Sequence, residues 1–465
     1  MARQYDVVVI GAGPGGYVAA ARASALGLKT AIVEKDKALG GTCLHRGCIP
    51  TKALLHAADT YDEVKHGSLI GIKTSGVEID WAEVQKYKER IINTNAGGVA
   101  HLMKSKKVDV FFGFGSLKDK NTVLVKNEAG VETLSTKYVI LAVGSKPRAL
   151  PSADAKSNRI LNSDSILSLK TIPGSLTIVG GGVIGIEFAS VFARFGTKVK
   201  VIEALPRILA AADPDCSKEL RLQLEKQGVS FHTNARIEAI KEKSGQAHVL
   251  FNEADGKALQ HDSDYVLVSV GRQPLTDGIG LENTKAQLDR GFVVVDGAMK
   301  SQESNIYAIG DCVNTPWLAH IASKEGVIAA EHIAGQKPVP LNYDHTPSCV
   351  YSEPPVAWAG LTEEEAQKRG YDVKVGKFDF MRNGKASILQ KNRGFVKFIT
   401  DKKYGEILGV HIVGPQATEL LAEPAFAMQM EATIDDIADA VHAHPTLYEA
   451  LYEAALAAVD KPLHG

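Results

Sequence analysis

Residues 5–34, "YDVVVIGAGPGGYVAAARASALGLKTAIVE", change character several times in a short span. The β-branched run Val7–Ile10 reads as a strand, and it stops at a glycine cluster, Gly11, Gly13 and Gly16. An alanine-rich stretch with no interior proline follows as far as Gly27 and predicts a helix; the strand "KTAIVE" then ends on Glu34. Gly-x-Gly-x-x-Gly between a strand and a helix suits a dinucleotide. Glycine lets the backbone approach a pyrophosphate, the helix N-terminus offers it free N–H groups, and the carboxylate after the second strand accepts from ribose hydroxyls.

In a chain with 43 glycines such a run alone is weak evidence, but here strand, helix and acid coincide, and they do so twice. "LTIVG", "GGVIG", "IEFASVFARFG" and "TKVKVIE" repeat the order at 176–203, with Gly180, Gly182 and Gly185 in the turn. Glu34 and Glu203 each fall eighteen residues past the last glycine of their run. Two devices imply two different dinucleotides. A carboxylate at Glu203 would repel a 2′-phosphate, and "ALPRIL" after it carries only Arg207, so the second site should prefer NAD over NADP. A third element, "NIYAIGDC" at 305–312, ends a β-like run on Gly310-Asp311, which alone reads as a surface turn.

The chain has 465 residues, more than one core usually organises, and 45% hydrophobic and 23% charged residues with a net charge of −1. That balance offers no electrostatic reason to expect nucleic acid or an anionic membrane as partner. "MARQYDVVVIGAG" runs straight into a strand without a separate apolar segment or cleavage site, and "YVILAVG" and "LTIVGGGVIGI" are too short or too glycine-rich to span a bilayer as helices. A cytoplasmic protein without membrane insertion is expected. There, persistent disulfides are usually catalytic or redox-sensing, and five cysteines, an odd number, argue against a stapled secreted scaffold.

Two of those cysteines stand close together in "GGTCLHRGCIPTK", residues 40–52. Zinc wants about four ligands, and no second cysteine pair exists, so no metal site is expected. In regular helix, positions i and i+5 are about 8–9 Å apart at Cα, beyond the roughly 7 Å a disulfide can bridge. If Cys43 and Cys48 bond, the segment must bend, and Gly47 and Pro50 permit that. Pro50 fits the first turn of a helix through "TKALLHAADTYDEV", which would put Cys48 near a helix N-terminus, where the dipole favours a thiolate. His45 and Arg46 add positive potential. Two buried free cysteines are the plain alternative.

Taken together, "YDVVVIGAGPGG", "GGTCLHRGCIPTK", "AVGSKP", "GGGVIGIEFASVF", "SVGRQP", "YAIGDC", "LAHIASKEG" and "HAHPTLYEAL" resemble the flavoprotein disulfide reductases, in particular those that oxidise dihydrolipoamide, over nearly the whole chain. The resemblance implies an α/β fold with two Rossmann-like domains and a C-terminal α+β dimerisation domain: FAD-binding structure at 1–148 and 271–345, an NAD domain at 149–270, and the interface domain at 346–465. It implies FAD in the first site and NAD in the second, with Thr42, Gly144, Gly271, Arg272 and Ala319 among the cofactor contacts and Asp311 on the ribityl chain. It further implies a Cys43–Cys48 disulfide in which Cys43 exchanges with a dithiol and Cys48 faces the flavin. Lys52 would lie near the flavin with Glu187 as its carboxylate partner. His444 would be the acid–base histidine, oriented by Glu449 and reaching the cysteines of a second subunit. Expected partners are a second copy, and lipoyl domains or lipoylated carriers with the core subunit of a 2-oxoacid dehydrogenase or glycine cleavage complex.

The residues speak to some of this directly. Glu187 shares a helical stripe with Ile184, Phe188, Val191 and Phe195, where periodicity alone makes it a rim residue. Pro445 is placed to start the helix "TLYEALYEAALAAV", whose apolar face could pack at a dimer core or internally. There are departures from the family's commonest pattern: His45-Arg46 replaces Asn-Val, Val143 a threonine, and Tyr448 a serine, none of them a reacting group. Mercuric-ion reductases carry a cysteine pair near the C-terminus, whereas the last cysteine here is Cys349. Glutathione reductases carry 2′-phosphate arginines and an alanine where this chain has Glu203 and Gly185. The remaining expectation to separate is a reductase of another disulfide.

Overall fold

The computed structural model describes residues 3–464. The chain divides into two compact units. The first comprises the chain up to Leu54, Asp80–Arg148 and Gly271–Tyr343; the second comprises Leu55–Ile79, Ala149–Val270 and the chain from Asp344 onward.

The first unit opens with β1 (Arg3–Ile10), α1 (Pro14–Ala25), β2 (Thr30–Glu34), α2 (Gly41–Arg46) and the first turns of α3 (Cys48–Lys65). Asp109–Phe112, β2, β1 and Gly130–Leu141 lie side by side and parallel, and Ile306–Ala308 adds to the far side of Gly130–Leu141. The antiparallel strands Thr122–Asn127 and Phe114–Asp119 continue the sheet from the first half of that long strand. Alternation explains the apolar runs: Val8, Ile10 and Val33 enter one core with Val123 and Leu134, while Val7, Val9 and Ile32 enter the other with Ala19, Ala20 and Ala23. The small residues of α1 admit a close neighbour. A Cβ on Gly326 of the helix Ala319–Ile333 would stand 2.6 Å from the Gly15 carbonyl, so the two helices cross at a distance only glycine allows.

The second unit repeats the device in a parallel sheet ordered Ser230–His232, Lys198–Ile202, Ser175–Val179, Tyr265–Val268 and Ile160–Leu161, with the helix Val183–Arg194 after the glycine turn. An antiparallel trio, Arg236–Lys243, Gln246–Asn252 and Ala258–Ser263, precedes the fourth of these strands. From residue 348 the chain builds a five-stranded antiparallel sheet ordered Ser348–Val350, Val356–Gly360, Ile407–Val413, Phe395–Asp401 and Val373–Asp379. The helix Glu449–Ala458 buries Ala450, Leu451, Ala454, Ala455 and Leu456 in the core of this region, and a Cβ on Gly376 would stand 2.1 Å from the Ala454 carbonyl. Its apolar face is therefore internal. The helix begins at Glu449 rather than at Pro445: Thr446 donates its N–H to Glu449 Oε2 and its hydroxyl to the Ala443 carbonyl, which holds 443–446 as a turn. No helix among the described residues is long and apolar enough to cross a membrane.

Candidate active site

Within each glycine turn the three glycines divide the work. In the first, Gly11 has φ +102° and a Cβ there would meet the Ala142 carbonyl at 2.2 Å, while one on Gly16 would meet the Gly11 carbonyl at 1.9 Å. In the second, Gly180 has φ +109° and would meet the Ser269 carbonyl at 2.4 Å, and Gly185 would meet the Gly180 carbonyl at 2.0 Å. Outer glycines thus serve packing. The middle ones, Gly13 and Gly182, face open space, with no atom within 4 Å of a Cβ. Each is the N-cap of its helix, without a capping side chain or an acidic residue in the first turn, so the helix N–H groups remain for an anion. This open cradle at both helix starts fits a dinucleotide pyrophosphate.

The two acids are also held alike. Glu34 is buried and accepts from the N–H of Ala12 at 2.7 Å and of Asp36 at 2.8 Å; Glu203 accepts from the N–H of Gly181 and of Leu205. Burial raises the Glu34 carboxyl above its usual range, against the opposing pull of those two amides. Each oxygen keeps a second lone pair for a ribose hydroxyl.

In the first unit the cysteines are joined. Cys43, in α2, and Cys48, the first residue of α3, form a disulfide with a Cα separation of 4.7 Å. That is about half the regular-helix value, and Gly47 is where the helix breaks: a Cβ there would stand 2.9 Å from the Thr42 carbonyl. Pro50 lies in the first turn of α3, so Cys48 sits at a helix N-terminus. The loop before the pair lies on the first glycine turn, with Gly40 N–H donating to the Ala12 carbonyl at 2.8 Å and a Gly41 Cβ reaching within 2.5 Å of Gly13 Cα.

Asp311 follows Gly310, whose φ of +69° makes the turn. Its carboxylate accepts from Ser145, whose hydroxyl accepts from Arg272 Nε at 2.7 Å, and burial raises its carboxyl above the usual range despite Ser145 and Arg272. Gly144 and Gly271, both at positive φ, flank the antiparallel pair Ser145–Pro147 and Arg272–Pro274, where the chain leaves and re-enters this unit. Ala319 is the first residue of a helix whose N-cap offers no capping side chain. Lys52 lies in the opening turns of α3, one residue after Thr51, which donates to the Gly47 carbonyl.

In the second unit Glu187 is not a rim residue. It is buried and accepts from the Tyr351 N–H at 3.0 Å. His444 is exposed, and its Nδ1 donates to Glu449 Oε1 at 2.8 Å, which leaves Nε2 as the basic nitrogen of the neutral ring. Burial pushes the Glu449 carboxyl up, but the Thr446 N–H and His444 outweigh it and hold the group below its ordinary range. Among the described residues no cluster of three His, Cys, Asp or Glu side chains could hold a metal.

Sequence reasoning passed over two groups. Glu325, fully buried on Ala319–Ile333, accepts from the Gly310 N–H at 2.7 Å and the Tyr343 hydroxyl at 2.9 Å, which fixes the turn that carries Asp311. Its place among Ile321, Ala322, Ile328 and Ala329 is the signal that singled out Glu187. Lys397, on the core strand Phe395–Asp401, meets the fully buried Asp213 at 3.1 Å and Asp215 and Glu363 at 3.2 Å; no local pattern announced it.

A family model described as pyridine nucleotide-disulphide oxidoreductase matches residues 5–326, and its dimerisation domain matches 346–455. The chain is 45% identical to a dihydrolipoyl dehydrogenase of Bacillus subtilis, covering all of both chains, and 43% identical to one of Geobacillus stearothermophilus, covering 99% of this chain and 97% of that one. Among solved structures, LpdA of Mycobacterium tuberculosis superposes with a TM-score of 0.89 at 26% identity, over 97% of this chain and 99% of that one. With both family regions matched and relatives aligned end to end, the chain belongs to the pyridine nucleotide-disulphide oxidoreductase family.

Proposed function

We propose that this enzyme oxidises protein-bound dihydrolipoyl groups and delivers the electrons to NAD⁺. The observation that carries the reading is the Cys43–Cys48 disulfide at the start of α3, bonded through its loop to the first glycine turn. His444 Nε2 takes the proton of a substrate thiol while Glu449 fixes Nδ1–H. The substrate thiolate attacks Cys43 Sγ; the Cys43–Cys48 bond breaks and Cys48 leaves as a thiolate, stabilised at its helix N-terminus. The sulfur of the second substrate thiol then displaces Cys43 from the mixed disulfide, its proton passing to the departing Cys43 sulfur, and the lipoyl disulfide is released while His444 keeps the first proton. Bound FAD and NAD⁺ supply the two-electron acceptor chemistry that restores the enzyme disulfide.

Gly11, Gly13, Gly16 and Glu34 would hold the flavin dinucleotide, with Thr42, Lys52, Gly144, Asp311 and Ala319 along it. Gly180, Gly182, Gly185 and Glu203 would hold NAD, and Gly271 and Arg272 would be cofactor contacts of the first unit, where Arg272 bonds Ser145. The active unit is a homodimer in which His444 serves the cysteines of the other copy, a reading supported by the dimerisation-domain match and by the exposure of His444. Lipoyl domains or lipoylated carriers are its substrates within a 2-oxoacid dehydrogenase or glycine cleavage complex. The test is steady-state turnover of dihydrolipoamide with NAD⁺ by the purified protein. Turnover of glutathione disulfide with NADPH instead would overturn the substrate assignment.

A further inference from the structure

The residues between the cysteines, His45 and Arg46, depart from the pattern commonest in this family, and their positive charge suggests a simple role: lowering the thiol pKa. The contacts suggest something else. Arg46 Nη2 donates to Asp36 Oδ2, and His45 Nε2 donates to the Leu39 carbonyl at 2.8 Å. Asp36 is itself anchored, because its N–H donates to Glu34 Oε1 at 2.8 Å, and the other Glu34 oxygen takes the Ala12 N–H of the glycine turn. A continuous chain of bonds therefore runs from the inter-cysteine turn through Arg46, Asp36 and Glu34 to the first dinucleotide cradle. The Arg46 charge is spent on a carboxylate.

We infer that Arg46 is a positioning residue, a brace that ties the end of α2, the helix of Cys43, through Asp36 and Glu34 to the first glycine turn, and so favours the closed disulfide. The inference rests on Cys43–Cys48 being the redox pair of the proposed function. A brace and a free charge make opposite demands of Asp36. If Arg46 acts by position, losing either partner frees α2, lowers the effective concentration of one thiol at the other, and makes the disulfide easier to reduce. If it acts by charge, Asp36→Asn unmasks the guanidinium, and its effect must run opposite to that of Arg46→Val.

The experiment equilibrates the holoenzyme in glutathione redox buffers and measures the dithiol fraction by thiol alkylation, for wild type, Arg46→Val, Asp36→Asn, the double variant and Arg46→Lys. Flavin content and melting temperature are recorded for each to verify the fold. The brace predicts that both single variants shift the equilibrium toward dithiol by about fivefold or more, that the double variant adds little, and that Arg46→Lys recovers part of the shift. Opposite shifts in Arg46→Val and Asp36→Asn, or none in well-folded variants, would overturn it. A wild type whose pair does not exchange with glutathione at all and takes up no electrons from dihydrolipoamide would refute the proposed function itself, which separates the two failures.

Discussion

The carboxylates of Glu34 and Glu203 each accept a backbone N–H from their own glycine turn and another from two residues ahead, so the acid that would meet a ribose is already part of the loop that would meet the pyrophosphate. A negative charge fixed at Glu203 leaves no room for a 2′-phosphate to displace it. The enzyme should use NAD⁺ at least tenfold better than NADP⁺ by kcat/KM, about 1.4 kcal/mol of transition-state discrimination. Glu203→Gln should narrow that ratio, at the cost of one of the two loop bonds, since its amide nitrogen cannot accept a backbone N–H. Equal kcat/KM for the two cofactors in the wild type would remove Glu203 from this role. The sequence told these acids from ordinary surface glutamates by their spacing, but their bonds to Ala12 and Gly181 follow from the turn geometry and could not be read from residue types.

At the scale of elements, the glycine turns make a contrast that substitution can expose. Gly13→Ala places its methyl in open space, so the melting temperature should hold while flavin content after purification falls by about tenfold or more. Gly16→Ala drives its methyl into the Gly11 carbonyl and should cost about 1–3 kcal/mol of stability. Equal loss of stability in both would deny Gly13 a ligand-facing role. Lys397 tests the second unit. Burial alone would lower its pKa, but Asp213 and its neighbours raise it from 10.5 to about 12. A raised folded value means that its stabilisation is complete below about pH 10.5 and is lost as pH rises through about 12. Lys397→Met strands the fully buried Asp213 and should cost about 3–5 kcal/mol in denaturant melts, and a change within 0.5 kcal/mol would show the cluster to be idle. The two dinucleotide-type sheets were legible because Val7–Ile10 and Leu176–Val179 each read as a strand that runs into a glycine turn and a helix. The Lys397 cluster was not, because Asp213 and Lys397 lie 184 positions apart and meet only through the tertiary fold. Pro445 misled for a local reason: the turn made by Thr446 with Ala443 and Glu449 delays the helix start to Glu449.

For the whole molecule, the proposed activity needs groups far apart in sequence to act at one site, with the cysteines contributed by one copy and His444 by another. Mixing inactive Cys43→Ser and His444→Ala variants under subunit exchange should restore up to about half of the activity per heterodimer, because one of its two sites collects both lesions and the other collects neither. Heterodimers that form yet stay inactive would place each site within one chain. The decisive measurement is an anaerobic titration of the purified enzyme with dihydrolipoamide, followed by its visible spectrum. Two-electron uptake with a new long-wavelength absorption band is expected, with its removal on adding NAD⁺ and its absence from a Cys48→Ser variant that still binds flavin but no longer turns over lipoamide. A Cys48→Ser variant that keeps the band and the turnover would contradict the proposed mechanism.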